Sequence, residues 1–126
     1  MGRRSIHELL AEARARLARV TPQQALEEMK TGGKVIDTRS ADLRERDGSI
    51  PGAIELPLSV LEWRVDPESD SRDPRIEGTR DRLIILCAEG YSSSLAAARL
   101  QELGFSDVTD VEGGFAAWKE AGLPVT

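Results

Sequence analysis

The stretch Leu83-Ile84-Ile85-Leu86-Cys87-Ala88-Glu89-Gly90-Tyr91-Ser92-Ser93 decides the fold. Its first part is an unbroken apolar run bounded by charge, which suits a central parallel strand covered on both faces. Cys87 terminates the run, and the polar residues that follow lead into a new periodicity. Leu95, Ala96, Leu100 and Leu103 recur at helical spacing, and Gly104 ends that helix because glycine readily takes the left-handed conformation of a helix stop. The order is therefore strand, cysteine, loop, helix.

Working outward, Val108 and Val111 read as a last strand, and Gly113-Gly114 lead into a closing helix through Phe115 and Trp118. Upstream, Val35-Ile36 reads as a short buried strand ending at Asp37, and Ser40 caps a brief helical turn through Leu43 and Arg46. Gly48-Ser49-Ile50-Pro51-Gly52 is turn chemistry that delivers Ala53-Ile54 into another strand. Leu58, Leu61 and Trp63 read as one helical face, with both Trp63 and Trp118 expected in the core. Residues 66–82 are crowded with charged residues, Ser and Pro, the composition of a solvated surface loop. Thr21 is a good N-cap, Pro22 suits the first helical turn, Gln24 completes a capping box, and Gly32-Gly33 stops that helix. In residues 5–20, Ile6, Leu9, Leu10, Ala13, Leu17 and Val20 form the stripe of an amphipathic helix, expected to pack on its own domain because Glu8 and Glu12 dilute its basic face; docking to a partner or to a membrane surface is the competing use of such a stripe. Strands alternating with helices imply an α/β three-layer sandwich, a mostly parallel central sheet flanked by helices.

Composition narrows the function. The length of 126 residues corresponds to one domain with a core of its own, and one cysteine excludes an internal disulfide. That lone thiol fits a reducing compartment, so a cytoplasmic location is expected. A net charge of −5 with few aromatics gives no electrostatic footprint for nucleic acid. One cysteine and one histidine leave little with which to build a zinc site. No stretch approaches the roughly 20 apolar residues of a membrane helix.

In open α/β sheets ligands bind beyond the carboxyl ends of strands, which is where Cys87 falls. If Ala88, Glu89, Gly90, Tyr91 and Ser92 curl into a cradle and a helix begins near Ser93, backbone N–H groups and a positive helix terminus converge on one point. A thiol there is biased toward thiolate, its nucleophilic form. Gly90 supports the cradle because it can take positive φ. The residues alone also allow a buried cysteine that acts only as a small hydrophobe.

Four segments together resemble the signatures of the rhodanese-like family: Val35-Ile36-Asp37-Thr38-Arg39, Gly48-Ser49-Ile50-Pro51-Gly52-Ala53-Ile54, Cys87-Ala88-Glu89-Gly90-Tyr91-Ser92-Ser93 and Glu112-Gly113-Gly114-Phe115-Ala116-Ala117-Trp118. The resemblance implies a rhodanese-like domain over residues 20–126, preceded by an amphipathic helical extension over residues 1–19. It implies a sulfurtransferase in which Cys87 takes sulfur from thiosulfate or a persulfide and passes it to a thiol or protein acceptor. The substrate-binding loop would be Ala88, Glu89, Gly90, Tyr91, Ser92 and Ser93. Asp37 and Arg39 would support the loop rather than react; an ordinary surface salt bridge is the plainer reading of that pair. No metal or organic cofactor is implied.

The chain departs from the family pattern in informative places. The loop commonly runs Cys-x-x-Gly-x-Arg-Ser, and the arginine position is Ser92 here; many members carry His where Ser49 stands. With Glu89 and no basic residue, the loop is poorly suited to a thiosulfate dianion, so a less anionic persulfide is the expected donor. A phosphatase or arsenate reductase on a related fold would need Arg six residues after the cysteine, where Ser93 stands. The same residues are compatible with a catalytically weak binding or regulatory module and with a thiol redox sensor; the sensor would need an external thiol to resolve it. Ser92, Ser93 and Ser94 have no evident base for hydrolase chemistry.

Overall fold

The apolar run that ends at Cys87 lies in the middle of the sheet in the computed structural model, which describes residues 2–126. The strands are β1 (Lys34–Asp37), β2 (Ile54–Glu55), β3 (Leu83–Leu86) and β4 (Val108–Asp110), in the spatial order β2-β1-β3-β4 with every neighbour parallel. Six helices surround them: α1 (Ile6–Ala15), α2 (Pro22–Met29), α3 (Ala41–Asp47), α4 (Leu61–Val65), α5 (Ser92–Glu102) and α6 (Gly114–Glu120).

Pleating sorts β3 onto two cores. Leu83 and Ile85 join Ile36, Leu61, Leu100 and Phe105 on one face. Ile84 and Leu86 join Val35, Ala25, Phe115 and Trp118 on the other. All four β3 side chains are fully buried, so truncating any one to Ala costs about 2–5 kcal/mol. The register pairs Asp37 with Leu86, which brings the residues after β1 and after β3 to the same sheet edge.

Local chemistry sets the helix starts. Ser5 accepts from the Glu8 N–H, Thr21 and Gln24 form the reciprocal capping box, and Ser40 accepts from the Leu43 N–H.

Three expectations need correction. The first helix stops at Ala15 instead of running to residue 20, because Val20 is extended and bridges Val111 in parallel beside β4, exchanging backbone hydrogen bonds with Asp110 and Glu112. Trp63 is 60% exposed: a 3-10 turn at Leu58–Val60 and the non-helical φ of −126° at Val60 separate Leu58 from α4, and within α4 Trp63 is two residues from the buried Leu61 and so off its face, while Trp118 is buried as expected. Residues 66–82 are not merely solvated. Their Ile76 is fully buried in the core and Asp73 is buried between Arg64 and Arg75.

Candidate active site

Cys87 is the first residue after β3 and is only 7% exposed. Its carbonyl accepts from the Phe115 N–H at 2.8 Å, and the Ala88 carbonyl accepts from the Ala116 N–H at 3.0 Å, so the start of α6 anchors the base of the loop. The chain then turns through Gly90, whose φ is +87°. The Gly90 N–H donates to Cys87 Sγ at 3.2 Å. Burial pushes the thiol up, but the hydroxyls of Ser93 and Ser92 and the N–H groups of Ser93 and Gly90 outweigh it and hold the thiol below its ordinary value. The loop leads directly into α5, which begins at Ser92, and among the described residues the one hydrogen bond the sulfur receives comes from the Gly90 N–H.

Glycine is required where the loop meets the next turn. A Cβ on Gly90 would lie 2.7 Å from Gly113 N, and one on Gly114 would lie 2.4 Å from the Cys87 carbonyl oxygen and 2.7 Å from Gly90 N. Such distances leave no room for a side chain, and Gly114 also has φ +59°.

Asp37 and Arg39 form a buried pair rather than a surface salt bridge. Arg39 Nη2 donates to Asp37 Oδ2 at 2.8 Å, Arg39 Nε donates to Oδ1 at 3.1 Å, and the Arg39 N–H donates to Oδ1 at 3.0 Å. The guanidinium also donates to the Gly48 carbonyl and stacks 3.6 Å from the Phe115 ring centroid. The pair thus reaches the loop indirectly, through Phe115 and its bond to Cys87.

A cleft of about 480 Å³ abuts the loop at Ala88 and Glu89. Arg39, Arg46 and Lys119 bring positive charge to it, while Asp47, Glu89 and Glu120 balance them. Arg46 is moreover already engaged with Asp47. Glu89 and Tyr91 are exposed at the rim, Ser92 is half-buried, and Ser93 is fully buried.

Several contributors had no signal in the sequence. Asp110, at the end of β4, is fully buried, and its Oδ2 accepts from the hydroxyls of Ser93 at 2.8 Å and Ser94 at 2.7 Å. Arg19 binds both oxygens of Asp110, at 2.9 and 3.2 Å, and donates to the Gly90 carbonyl at 3.0 Å. Arg14 of α1 donates to the same carbonyl at 2.8 Å and to Ser94 Oγ at 3.1 Å, and its guanidinium sits 5.6 Å from the Tyr91 ring centroid. The segment before Thr21 therefore packs against the outside of the loop. Among the described residues no group of His, Cys, Asp and Glu is placed to hold a metal ion, and no helix is long and apolar enough to cross a membrane.

Residues 21–121 match the family model described as Rhodanese-like domain. A thiosulfate sulfurtransferase GlpE of Pseudomonas putida is 36% identical over 103 residues, covering 80% of this chain and 84% of that protein. A protein of unknown function from Rhodopseudomonas palustris, described as a possible tyrosine phosphatase, superposes with a TM-score of 0.88 at 34% identity, over 100% of this chain and 97% of its own. A rhodanese-related protein from Thermoplasma volcanium superposes with a TM-score of 0.67 at 29% identity, over 86% of this chain and 96% of its own.

Proposed function

This chain belongs to the rhodanese-like sulfurtransferase family, and we propose that it moves sulfane sulfur through a persulfide on Cys87, with a persulfide as the preferred donor. The observation that carries the reading is the placement of a single thiol, held below its ordinary value, against the Gly90 N–H and the first turn of α5. In the first half-reaction the Cys87 thiolate attacks the outer sulfur of R–S–S⁻. The S–S bond of the donor breaks, RS⁻ leaves with the electron pair, and Cys87–S–S⁻ remains. An acceptor thiolate then attacks the terminal sulfur, forms R′–S–S⁻ and returns the Cys87 thiolate. This is covalent double displacement with no net oxidation. The loop N–H dipoles take over part of the hydration that the anionic persulfide loses on entering the site.

The charge around the cleft favours a persulfide over thiosulfate. The loop carries Glu89 and no guanidinium, and the basic residues across the cleft are matched by acidic ones. A donor with one negative charge meets less opposition there than a dianion. The acceptor in this reading is a thiol or a protein, the setting a reducing cytoplasm. The phosphatase description of the Rhodopseudomonas palustris protein is not carried over, because the residue six positions after Cys87 is Ser93, buried on Asp110.

Intact mass spectrometry after incubation with thiosulfate and, separately, with a persulfide donor tests the proposal. The expected result is a gain of one sulfur atom that needs Cys87, is absent from Cys87→Ser, disappears on adding cyanide and forms faster with the persulfide. Failure of both donors to load the protein overturns the sulfurtransferase reading, and faster loading by thiosulfate overturns the donor preference.

A further inference from the structure

The most unusual contacts of the loop come from outside the matched residues 21–121. Two guanidiniums, Arg14 and Arg19, converge on one backbone oxygen, the carbonyl of Gly90. In a planar trans peptide the C=O and the following N–H point in opposite directions. Fixing the Gly90 carbonyl on the arginines therefore turns the Tyr91 N–H away from them. Arg19 also pairs in bidentate fashion with Asp110, which would otherwise be an isolated buried carboxylate next to the first turn of α5. The single hydroxyl hydrogen of Ser93, in the first turn of α5, is given to Asp110 Oδ2 at 2.8 Å, so the charge of that carboxylate lies one hydrogen bond from the start of α5 beside the thiol loop.

We propose that Arg14 and Arg19 are positioning residues of the thiol site: they hold the Gly90 backbone, whose N–H donates to the sulfur, in its orientation, and Arg19 neutralises the buried Asp110 charge next to the first turn of α5. The segment before Thr21 is then part of the active site, acting through the loop without touching substrate. The proposal rests on Cys87 being the nucleophile, but it concerns the state of the thiol and not the identity of the donor.

The two members of the ion pair have opposite predicted effects. Arg19→Met leaves the buried Asp110 negative charge without its cation, which disfavours a second negative charge on the nearby sulfur. Asp110→Asn keeps a side chain of the same shape and leaves the Arg19 cation uncompensated near the loop. The other charges around the loop are unchanged in these variants: Glu89 on the loop, the Asp37–Arg39 pair behind Phe115, and the Arg46–Asp47 pair, Lys119 and Glu120 across the cleft.

The test is the ultraviolet absorbance of the thiolate against pH for the wild type, Arg19→Met, Asp110→Asn and the double variant, each measured against its own Cys87→Ser counterpart. With one cysteine in the chain the difference belongs to Cys87 alone. The titration midpoint is expected to rise by about one unit in Arg19→Met, which is about a tenfold loss of thiolate below the midpoint. It is expected to fall in Asp110→Asn and to return toward the wild type in the double variant. Unchanged midpoints, or shifts of the same sign in both single variants, overturn the proposal and leave the arginines as a staple for α1. If Arg19→Met does not fold, the direction of the Asp110→Asn shift decides: a fall supports the proposal, and no change or a rise overturns it. Because the titration uses no sulfur donor, a protein that never loads sulfur can still pass it.

Discussion

Replacing Arg39 with Met examines how far the buried ion pair underwrites the site. The substitution keeps an unbranched apolar stem over Phe115 but removes two side-chain hydrogen bonds to Asp37 and one to the Gly48 carbonyl. Asp37 is fully buried, so water cannot replace what it loses. Breaking a buried pair by deleting one partner costs about 3–5 kcal/mol, against a total stability of about 5–15 kcal/mol for a domain. With a urea m-value of about 1.5 kcal/mol/M, the unfolding midpoint should fall by about 2–3 M. Tryptophan emission is a suitable probe, since Trp118 is fully buried and shifts on unfolding while Trp63 is already 60% exposed. Asp37→Asn with Arg39→Met removes both charges and still leaves an acceptor for the Arg39-position N–H. The double variant should therefore recover about 2 kcal/mol relative to the sum of the single losses. A loss below about 1 kcal/mol for Arg39→Met, with additive single effects, would refute the reasoning and return the pair to the class of weak surface bridges.

Gly114→Ala should lose about 2–4 kcal/mol of stability, from left-handed strain and the forced contact with the Cys87 carbonyl, and should slow sulfur loading by displacing the loop; unchanged loading kinetics would count against the close approach. Ser92→Arg should raise thiosulfate kcat/KM about tenfold, the scale of one charge-assisted hydrogen bond, and no gain would sink the electrostatic account of donor choice. Arg75 beside Asp73 holds the buried carboxyl down to about 2. Since this folded value lies below the unfolded one of about 3.9, the stabilisation, about 2 kcal/mol, is complete above the unfolded value and fades as pH falls toward the folded one. The stability gap between the wild type and Asp73→Asn should accordingly narrow as pH is lowered from about 5 to about 3, measured by urea unfolding; a constant gap would refute it.

What was legible in the sequence was local. Ser5, Thr21 and Ser40 mark helix starts through contacts three residues away, and Leu83–Leu86 marks a strand buried on both faces. The nucleophile and its loop could be found because Cys87, Gly90 and the helix that follows are contiguous. Asp110, Arg14 and Arg19 were not legible, since their roles depend on contacts such as Arg19 to Asp110 and Arg14 to Gly90, made between distant parts of the chain. Nothing in their neighbouring residues distinguishes such arginines from solvated ones. Trp63 was misplaced because Val60 detaches Leu58 from α4 and, inside α4, residues two apart do not share a face, so Trp63 lies off that of the buried Leu61. Ile76 was overlooked for the converse reason: one apolar residue among charges has no periodicity, yet it is fully buried.

The parallel bridge between Val20 and Val111 joins the two ends of the reading order. During synthesis the segment before Thr21 emerges well before the residues it holds, Gly90, Ser94 and Asp110. At about 5–20 residues per second, α1 waits roughly 4–20 s on the ribosome for its seat. Ala13, buried in the folded protein, and Leu17, packed on the core, have no native surface to cover in that interval. A nascent chain halted after α5 would carry the cysteine and its helix but not Asp110, so the thiol site is completed only once β4 has emerged.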